Sequence, residues 1–427
     1  MFTAAPSVRG RREWEADPAA RTAHLEVPLV NSPRRRVLTV AAAASAALAL
    51  TACGTNNNST GSPAATTPPA PVATTAAEAP TSAPDTSAAT TGAATTGAAG
   101  GAPVACAAGS LAGAGSTFQK NFESQAIKDF GSVCSGTKVD YQPTGSGAGI
   151  QSFGTGQVDF AGSDSLMKAD EQATANRRCG GSPAIHIPLT AGAVVLTYNL
   201  KGFTGDLKLS PASVAGIAQN KITTWDDPAI KADNAGAKLP STDITFAYRN
   251  DSSGTTDILS KYLTAAAGKV WTLGTGKDIQ FPGGQGQKGS DGVVNAVKST
   301  DGGITYTELS YAVSNQLKTV QVKNASGAFV APSGAASAAA LKTAKVDASM
   351  GDLRISPDYV SSDPAAYPVA APTYVIVCSK GNKRAAALKS YVSFATGTEQ
   401  SKADSVGYAP LPDVIATKVA PLVASIA

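Results

Sequence analysis

Apolar and polar positions divide the chain into unlike stretches before any single residue is considered. Residues 1–36 are polar with arginine clusters, 37–52 are small and apolar, and 54–103 hold almost only Ala, Thr, Ser, Pro, Gly and Asn. From Cys106 onward, strand-like runs alternate with helix-like apolar spacing. Leu111-Ala112-Gly113-Ala114-Gly115 reads as a strand entering a helix through a glycine turn, with Phe118, Phe122, Ile127 and Phe130 as the apolar face. A second unit follows: strand 137–142, a glycine loop at 143–149, and helix from Ile150. A third has a short strand at 157–161 and then Gly162-Ser163-Asp164-Ser165. Beyond residues 185–189, 193–199 is a nearly continuous apolar strand, and 222–228 turns into a short helix. Ile244-Thr245-Phe246-Ala247-Tyr248 precedes a polar turn and a helix marked by Ile258, Leu259, Tyr262 and Leu263. A glycine run at 283–292 feeds another helix, 370–378 is a late strand and 384–394 a closing helix. Successive strand–loop–helix units predict a parallel α/β sheet whose loops gather at the strands' carboxyl ends.

Composition changes the reading of the first hundred residues. Arg34-Arg35-Arg36, an apolar run too short to span a bilayer comfortably, and small residues up to Cys53 are the parts of an export signal. A buried helix with a chance cysteine is the weaker account, because the residues that follow could bury nothing. The prefix before Arg34 is long for such a signal, and a start assigned too early accounts for it. Residues 53–104 lack the apolar bulk to offset their ordering entropy and read as a flexible tether. The body after Cys106, about 320 residues, suits two domains.

Charge and cysteines narrow the partners. Seven arginines against four acids leave residues 1–52 at +3, against +4 for the whole chain, so the exported part is close to neutral. Near-neutrality excludes a broad basic face for nucleic acid or anionic lipid. Any bound anion must be held by local geometry. Cys106, Cys134, Cys179 and Cys378 allow three pairings in an exported body. Cys106–Cys134 is favoured, because each sits four residues before expected strand residues, Ser110 and Lys138, and neighbouring parallel strands start side by side. Cys179–Cys378 then follows.

Arg249-Asn250-Asp251-Ser252-Ser253-Gly254-Thr255-Thr256 is the stretch richest in chemistry. A strand turning through small polar residues into a helix leaves backbone N–H groups free for an anion. Arg249 supplies a planar fork that matches tetrahedral oxyanions, and Asp251 is placed to hold that fork. Taken alone, the octapeptide fits an ordinary N-capped helix better. His186, in an apolar strand, reads as structural. No G-x-S-x-G, HExxH, CxxC or GxxxxGK[ST] occurs, so hydrolysis, metal chemistry and nucleotide binding are poorly supported. Binding without turnover, and without metal or cofactor, fits better.

Five motifs together carry a resemblance. Gly113-Ala114-Gly115-Ser116-Thr117-Phe118, the run 141–149, Val158-Asp159-Phe160-Ala161-Gly162-Ser163-Asp164, Ile222-Thr223-Thr224-Trp225-Asp226-Asp227-Pro228 and the run 249–255 follow the order and spacing of one family. Over most of residues 109–427 the chain resembles the lipid-anchored or periplasmic phosphate-binding component of the high-affinity phosphate ABC transporter. The resemblance implies an α/β, type II periplasmic-binding-protein fold, two lobes joined by crossing hinge strands. Lobe 1 would comprise 105–190 with 370–427, and lobe 2 191–369. It implies a phosphate-binding set of Thr117, Phe118, Ser146, Asp164, Arg249, Ser253, Gly254 and Thr255, with Asp251 orienting Arg249. It implies a lipid-anchored lipoprotein attached through Cys53 to the extracytoplasmic face of the cell membrane. A monomer delivering inorganic phosphate to permease subunits is expected, and not an enzyme. The chain departs from relatives at Pro143-Thr144, at Gly147 where many carry Ser, and at Asn250.

Asp164 would separate phosphate from sulfate. A buried carboxylate repels a fully ionised anion but accepts a proton from hydrogen phosphate. By its motif alone, Asp164 could equally be a helix N-cap. Three competing readings are a receptor for another tetrahedral oxyanion, a surface lipoprotein acting as adhesin or phosphate sensor, and a phosphatase. The last lacks metal ligands and a histidine base.

Overall fold

The computed structural model describes residues 104–427. The expected export signal, Cys53 and all but the end of the tether lie outside these residues. Among the described residues, no helix is long and apolar enough to cross a membrane.

The early units fold as strand, loop and helix: β1 (Gly109–Gly115), α1 (Lys120–Val133), β2 (Thr137–Gln142), α2 (Ser146–Gly154), β3 (Phe160–Ser163) and α3 (Ala169–Arg178). In α1, Phe122, Ala126 and Phe130 are buried at helical spacing, whereas Ile127, expected on that face, is half-buried. Phe130 packs edge-on to Tyr391 at 5.3 Å between centroids. Helix α2 starts at Ser146, four residues before the expected Ile150, because Gly145 takes φ +97° and turns the chain there. The third strand lies later than 157–161, since Phe160 is its first buried residue.

A long strand, β4 (Ala184–Asn199), is buried over nearly all its length, which explains its unbroken apolar run. It is followed by β5 (Thr245–Arg249), α4 (Gly254–Ala266), β6 (Gln285–Gln287), α5 (Gly289–Ser299), β7 (Gly303–Glu308), β8 (Lys318–Thr319), β9 (Ala370–Cys378) and α6 (Ala385–Thr396). In α4, Ile258, Leu259, Tyr262 and Leu263 are all buried, as their spacing predicts. A further helix, Asp413–Ala424, ends the chain after the expected closing helix.

The main sheet runs β2-β1-β3-β9-β4-β7-β5-β6, with β8 on β4. Its two ends are parallel, β1 with β2 and β3, and β5 with β6 and β7. Its centre is antiparallel, β9 lying between β3 and β4, and β4 against β7. The all-parallel expectation thus fails in the middle, where β9 returns late in the chain between two earlier strands. Strand β4 pairs with β9 up to Ala193 and with β7 from Val194, so one strand serves both halves.

Cys106 pairs with Cys134 and Cys179 with Cys378, at Cα separations of 5.3 and 5.5 Å. The first pair lies three residues ahead of Gly109 and Thr137, which face each other across β1 and β2. His186 is fully buried, with Nδ1 2.7 Å from Asp352 Oδ2 and Nε2 accepting from the Met167 N–H at 3.1 Å. Both ring nitrogens are engaged structurally, and burial pulls its pKa down.

Candidate functional site

Parallel strands with helical crossovers send their carboxyl ends, and the loops beyond them, to one edge of the sheet. The loops after β1, β2, β3 and β5 meet there. Register fixes the first contacts: Gly115 faces Gly162 across β1 and β3, and the Ser116 N–H donates to the Gly162 carbonyl at 2.8 Å. Ser116 and Asp164 thus leave adjacent strands side by side.

Asp164 is the acceptor at one side of the site. Its Oδ1 receives the hydroxyls of Ser116 at 2.5 Å and Thr373 at 2.6 Å, and its Oδ2 receives that of Ser146 at 3.2 Å. Burial raises its pKa to about 6; the Ser116 and Thr373 hydrogen bonds oppose that rise, nearby Glu308 adds to it and Arg249 counters it.

Arg249 is the donor at the other side. Nε and Nη2 fork onto Asp251 Oδ1 and Oδ2 at 2.7 and 2.5 Å, and Asp251 Oδ1 also accepts from the Gly289 N–H at 3.0 Å. Burial disfavours the cation, but the hydrogen bonds and charge of Asp251 outweigh it, so the guanidinium titrates above its ordinary range. Asp251, despite its own burial, is held below the usual carboxylate range by Arg249. The remaining nitrogen, Nη1, donates to Thr117 Oγ1 at 2.9 Å, Ser290 Oγ at 3.3 Å and Thr255 Oγ1 at 3.4 Å. Thr117 and Ser290 are 2.8 Å apart, although 173 positions separate them in the chain.

Helix α4 brings its first turn against this network. Ser253 is its N-cap, accepting from the Thr256 N–H at 3.2 Å, and Gly254 follows. A Cβ on Gly254 would sit 2.5 Å from Ser146 Oγ and 2.6 Å from Asp164 Oδ2, so only glycine permits that approach. The loop before α2 meets the same segment: the Gly147 N–H donates to the Ser252 carbonyl at 3.0 Å. At Gly147 a Cβ would come within 2.2 Å of Ser252 Oγ, so the two loops approach this closely only with glycine there.

Thr117, Ser146, Asp164, Arg249, Ser253, Gly254 and Thr255 are therefore all buried around one spot, with Asp251 behind Arg249. Phe118 lies beside it with its ring in the core, tilted against Tyr408 at 5.8 Å, and its carbonyl accepts from the Tyr408 hydroxyl. Cys53 lies outside the described residues. Sequence reasoning missed four participants: Ser116, Ser290, Thr373 and Glu308. Ser116 and Ser290 had a visible signal, since each sits in a glycine-rich run feeding a helix. Thr373 lies in the strand expected at 370–378, and Glu308 ends β7, a strand the sequence reading did not single out.

Chemically, this spot offers one fixed cation, several hydroxyls, a helix N-terminus and a carboxyl acceptor, all withdrawn from water. That combination suits a small oxyanion that still carries a proton. Among the described residues, no group of three or more His, Cys, Asp or Glu side chains is arranged to hold a metal.

A family model described as a PBP superfamily domain matches residues 64–399. Phosphate-binding protein PstS 3 of Mycobacterium tuberculosis is 37% identical over 323 residues, covering 74% of this chain and 87% of that protein. Phosphate-binding protein PstS of Xylella fastidiosa is 33% identical over 313 residues, covering 71% and 81%. Among solved structures, a high-affinity periplasmic phosphate-binding protein, PfluDING, bound with phosphate at pH 8.5, superposes with a TM-score of 0.59 at 21% identity, covering 73% of this chain and 93% of that one.

Proposed function

The chain belongs to the PstS family of phosphate-binding proteins, with the type II periplasmic-binding-protein fold, and from that premise we propose that it binds inorganic phosphate at the Arg249–Asp164 network for uptake through an ABC transporter. The observation that carries this reading is convergence. Arg249 donates to Thr117 and Thr255, while Ser146 and Asp164 lie against Gly254 in the same buried cluster.

Binding takes place between two lobes, 105–190 with 370–427 and 191–369. Support for that division comes from β4, which exchanges β9 for β7 as its partner between Ala193 and Val194. Thr117, Phe118, Ser146, Ser253, Gly254 and Thr255 supply hydroxyl and N–H contacts, Asp251 orients Arg249, and Asp164 accepts the ligand's proton. Sulfate brings no proton, so its seating would leave two negative groups facing each other without water, a cost of roughly several kcal/mol. The energy of binding comes from donors already aimed at the anion. No turnover is involved. The protein acts as a monomer on the extracytoplasmic face of the membrane, anchored through a lipidated Cys53, and passes phosphate to permease subunits.

Equilibrium dialysis with labelled phosphate tests the reading directly. Retention of phosphate in the presence of a large excess of sulfate is expected. Equal competition by the two anions would remove the role given to Asp164, and no retention would remove the function.

A further inference from the structure

Gln119, the residue before α1, is fully buried and lies outside the phosphate-binding set. Its side chain runs to β9, where Nε2 donates to Thr373 Oγ1 at 2.6 Å and to the Tyr374 carbonyl at 2.8 Å. At the other end of the amide, Oε1 is 3.4 Å from the Tyr141 hydroxyl on β2. The seat exists because Gly162 has no side chain: a Cβ there would lie 2.3 Å from Gln119 Oε1.

Proton counting fixes the direction of this chain of bonds. The Tyr374 carbonyl can only accept, so the end of the amide that meets it must be the NH2 group. Thr373 Oγ1 then receives an N–H and has its single proton left to give. Asp164 Oδ1 stands 2.6 Å away and the Ser163 carbonyl 3.4 Å away, so the proton goes to Asp164. With the Ser116 hydroxyl on the same atom, Oδ1 is filled by two donors. Oδ2, met by Ser146 at 3.2 Å, is left to accept from a ligand.

We propose that Gln119 is a positioning residue that turns the Thr373 hydroxyl onto Asp164 and keeps that carboxyl an acceptor, so that a buried amide two residues from Thr117 sets how firmly the site rejects a fully ionised anion. The inference rests on the phosphate reading and names a group that sets its selectivity. A hydrogen bond donated to a carboxylate favours the charged form. Once protonated, Asp164 would become a donor, and the reason for refusing sulfate would disappear.

Burial pushes Asp164 up to about 6, and the bonds from Ser116 and Thr373 keep it from rising further. Loss of the Thr373 bond therefore raises the pKa, and at any pH above it more of the protein carries the donor form. The other charged and titratable groups facing Asp164 are Arg249 on β5, Glu308 at the end of β7, Tyr141 on β2 and Tyr408 in the C-terminal segment. Burial raises both phenols well above their ordinary range. Every protein compared below retains all four.

The test is calorimetric titration of the full chain with sulfate and with inorganic phosphate from about pH 5 to about pH 8, a span that brackets Asp164. Sulfate keeps one ionisation state over that span, so any change in its affinity belongs to the protein. Wild type should bind sulfate more tightly at the acid end. In Gln119→Met the Thr373 proton is free to turn to the Ser163 carbonyl, and at about pH 8 the sulfate dissociation constant should fall roughly tenfold relative to that for phosphate. Thr373→Val, which deletes the hydroxyl, should move the ratio in the same direction and decides the matter if Gln119→Met does not fold. Thr373→Ser, which keeps the hydroxyl, should hold the wild-type ratio. A merely structural lesion would weaken both anions together. An unchanged ratio in Gln119→Met and Thr373→Val proteins that still bind phosphate would overturn the proposal and leave the phosphate reading standing. Absence of phosphate binding in wild type would overturn both.

Discussion

Two buried acids, Asp164 and Glu123, have similar burial and opposite surroundings. Asp164 gathers the hydroxyls of Ser116, Thr373 and Ser146 on its two oxygens and has the Arg249 cation near it. Glu123, on the inner face of α1, accepts only from the Tyr391 hydroxyl, and its Oε1 has no hydrogen-bond partner. Burial pushes both upward, to about 6 and about 7. A perturbed acid is therefore no marker of function by itself. The difference lies in what converges on it: loops from several strands and a paired guanidinium at Asp164, one core tyrosine at Glu123.

The strongest way to break that contrast is to remove the cation. Arg249→Ala leaves Asp251 buried without its partner and strips the site of its permanent charge. Loss of a buried charge partner costs about 3–5 kcal/mol, so phosphate affinity should fall by roughly three orders of magnitude in calorimetry. An affinity within tenfold of wild type would mean that the anion is held elsewhere.

Glu123→Gln tests the other acid through stability. The folded-state pKa of Glu123 is raised from 4.5 to about 7, so the native state holds more protons than the unfolded chain between those values. Its contribution is fully present below about pH 4.5, declines as pH rises towards about 7 and levels off above it. The loss amounts to about 3 kcal/mol. Glu123→Gln should flatten this part of the pH profile in urea denaturation, with phosphate affinity at neutral pH unchanged.

Asp164→Asn sharpens the comparison at the site itself. An amide can donate to a fully ionised anion, so the preference for phosphate over sulfate should shrink by roughly ten- to a hundredfold. Competitive dialysis reads this directly, and a preserved preference would assign selectivity to another group. The smallest effect is expected at the loop contact. Gly147→Ser forces a Cβ towards Ser252, and phosphate affinity should drop by a few-fold, roughly 1 kcal/mol, with little change in selectivity.

Local patterns carried the fold well where one strand feeds one helix. The strand at 370–378 and the buried face of α4 coincide with their sequence reading, because a short apolar run and a 3.6-residue spacing are complete signals in themselves. They failed at the centre of the sheet. The apolar run 193–199 shows burial but not the strand's partners, so neither the antiparallel centre nor the exchange at Val194 could be read from it. The site divides in the same way. Small polar residues in glycine loops announce themselves, whereas Glu308 and Thr373 stand at positions flanked by core residues, and only the three-dimensional register brings them to Asp164 and Thr255.

The bond between Thr117 and Ser290 joins segments 173 positions apart, and that between Arg249 and Thr117 spans 132. Such contacts exist only once distant parts of the chain have assembled, so the unfolded polypeptide has no remnant of the binding place. A ligand held there would add its full mass-action free energy to the folded form, about 4 kcal/mol at a thousand times its dissociation constant. Heating the protein with and without phosphate would then reveal occupancy as a rise in melting temperature that grows with the logarithm of ligand concentration.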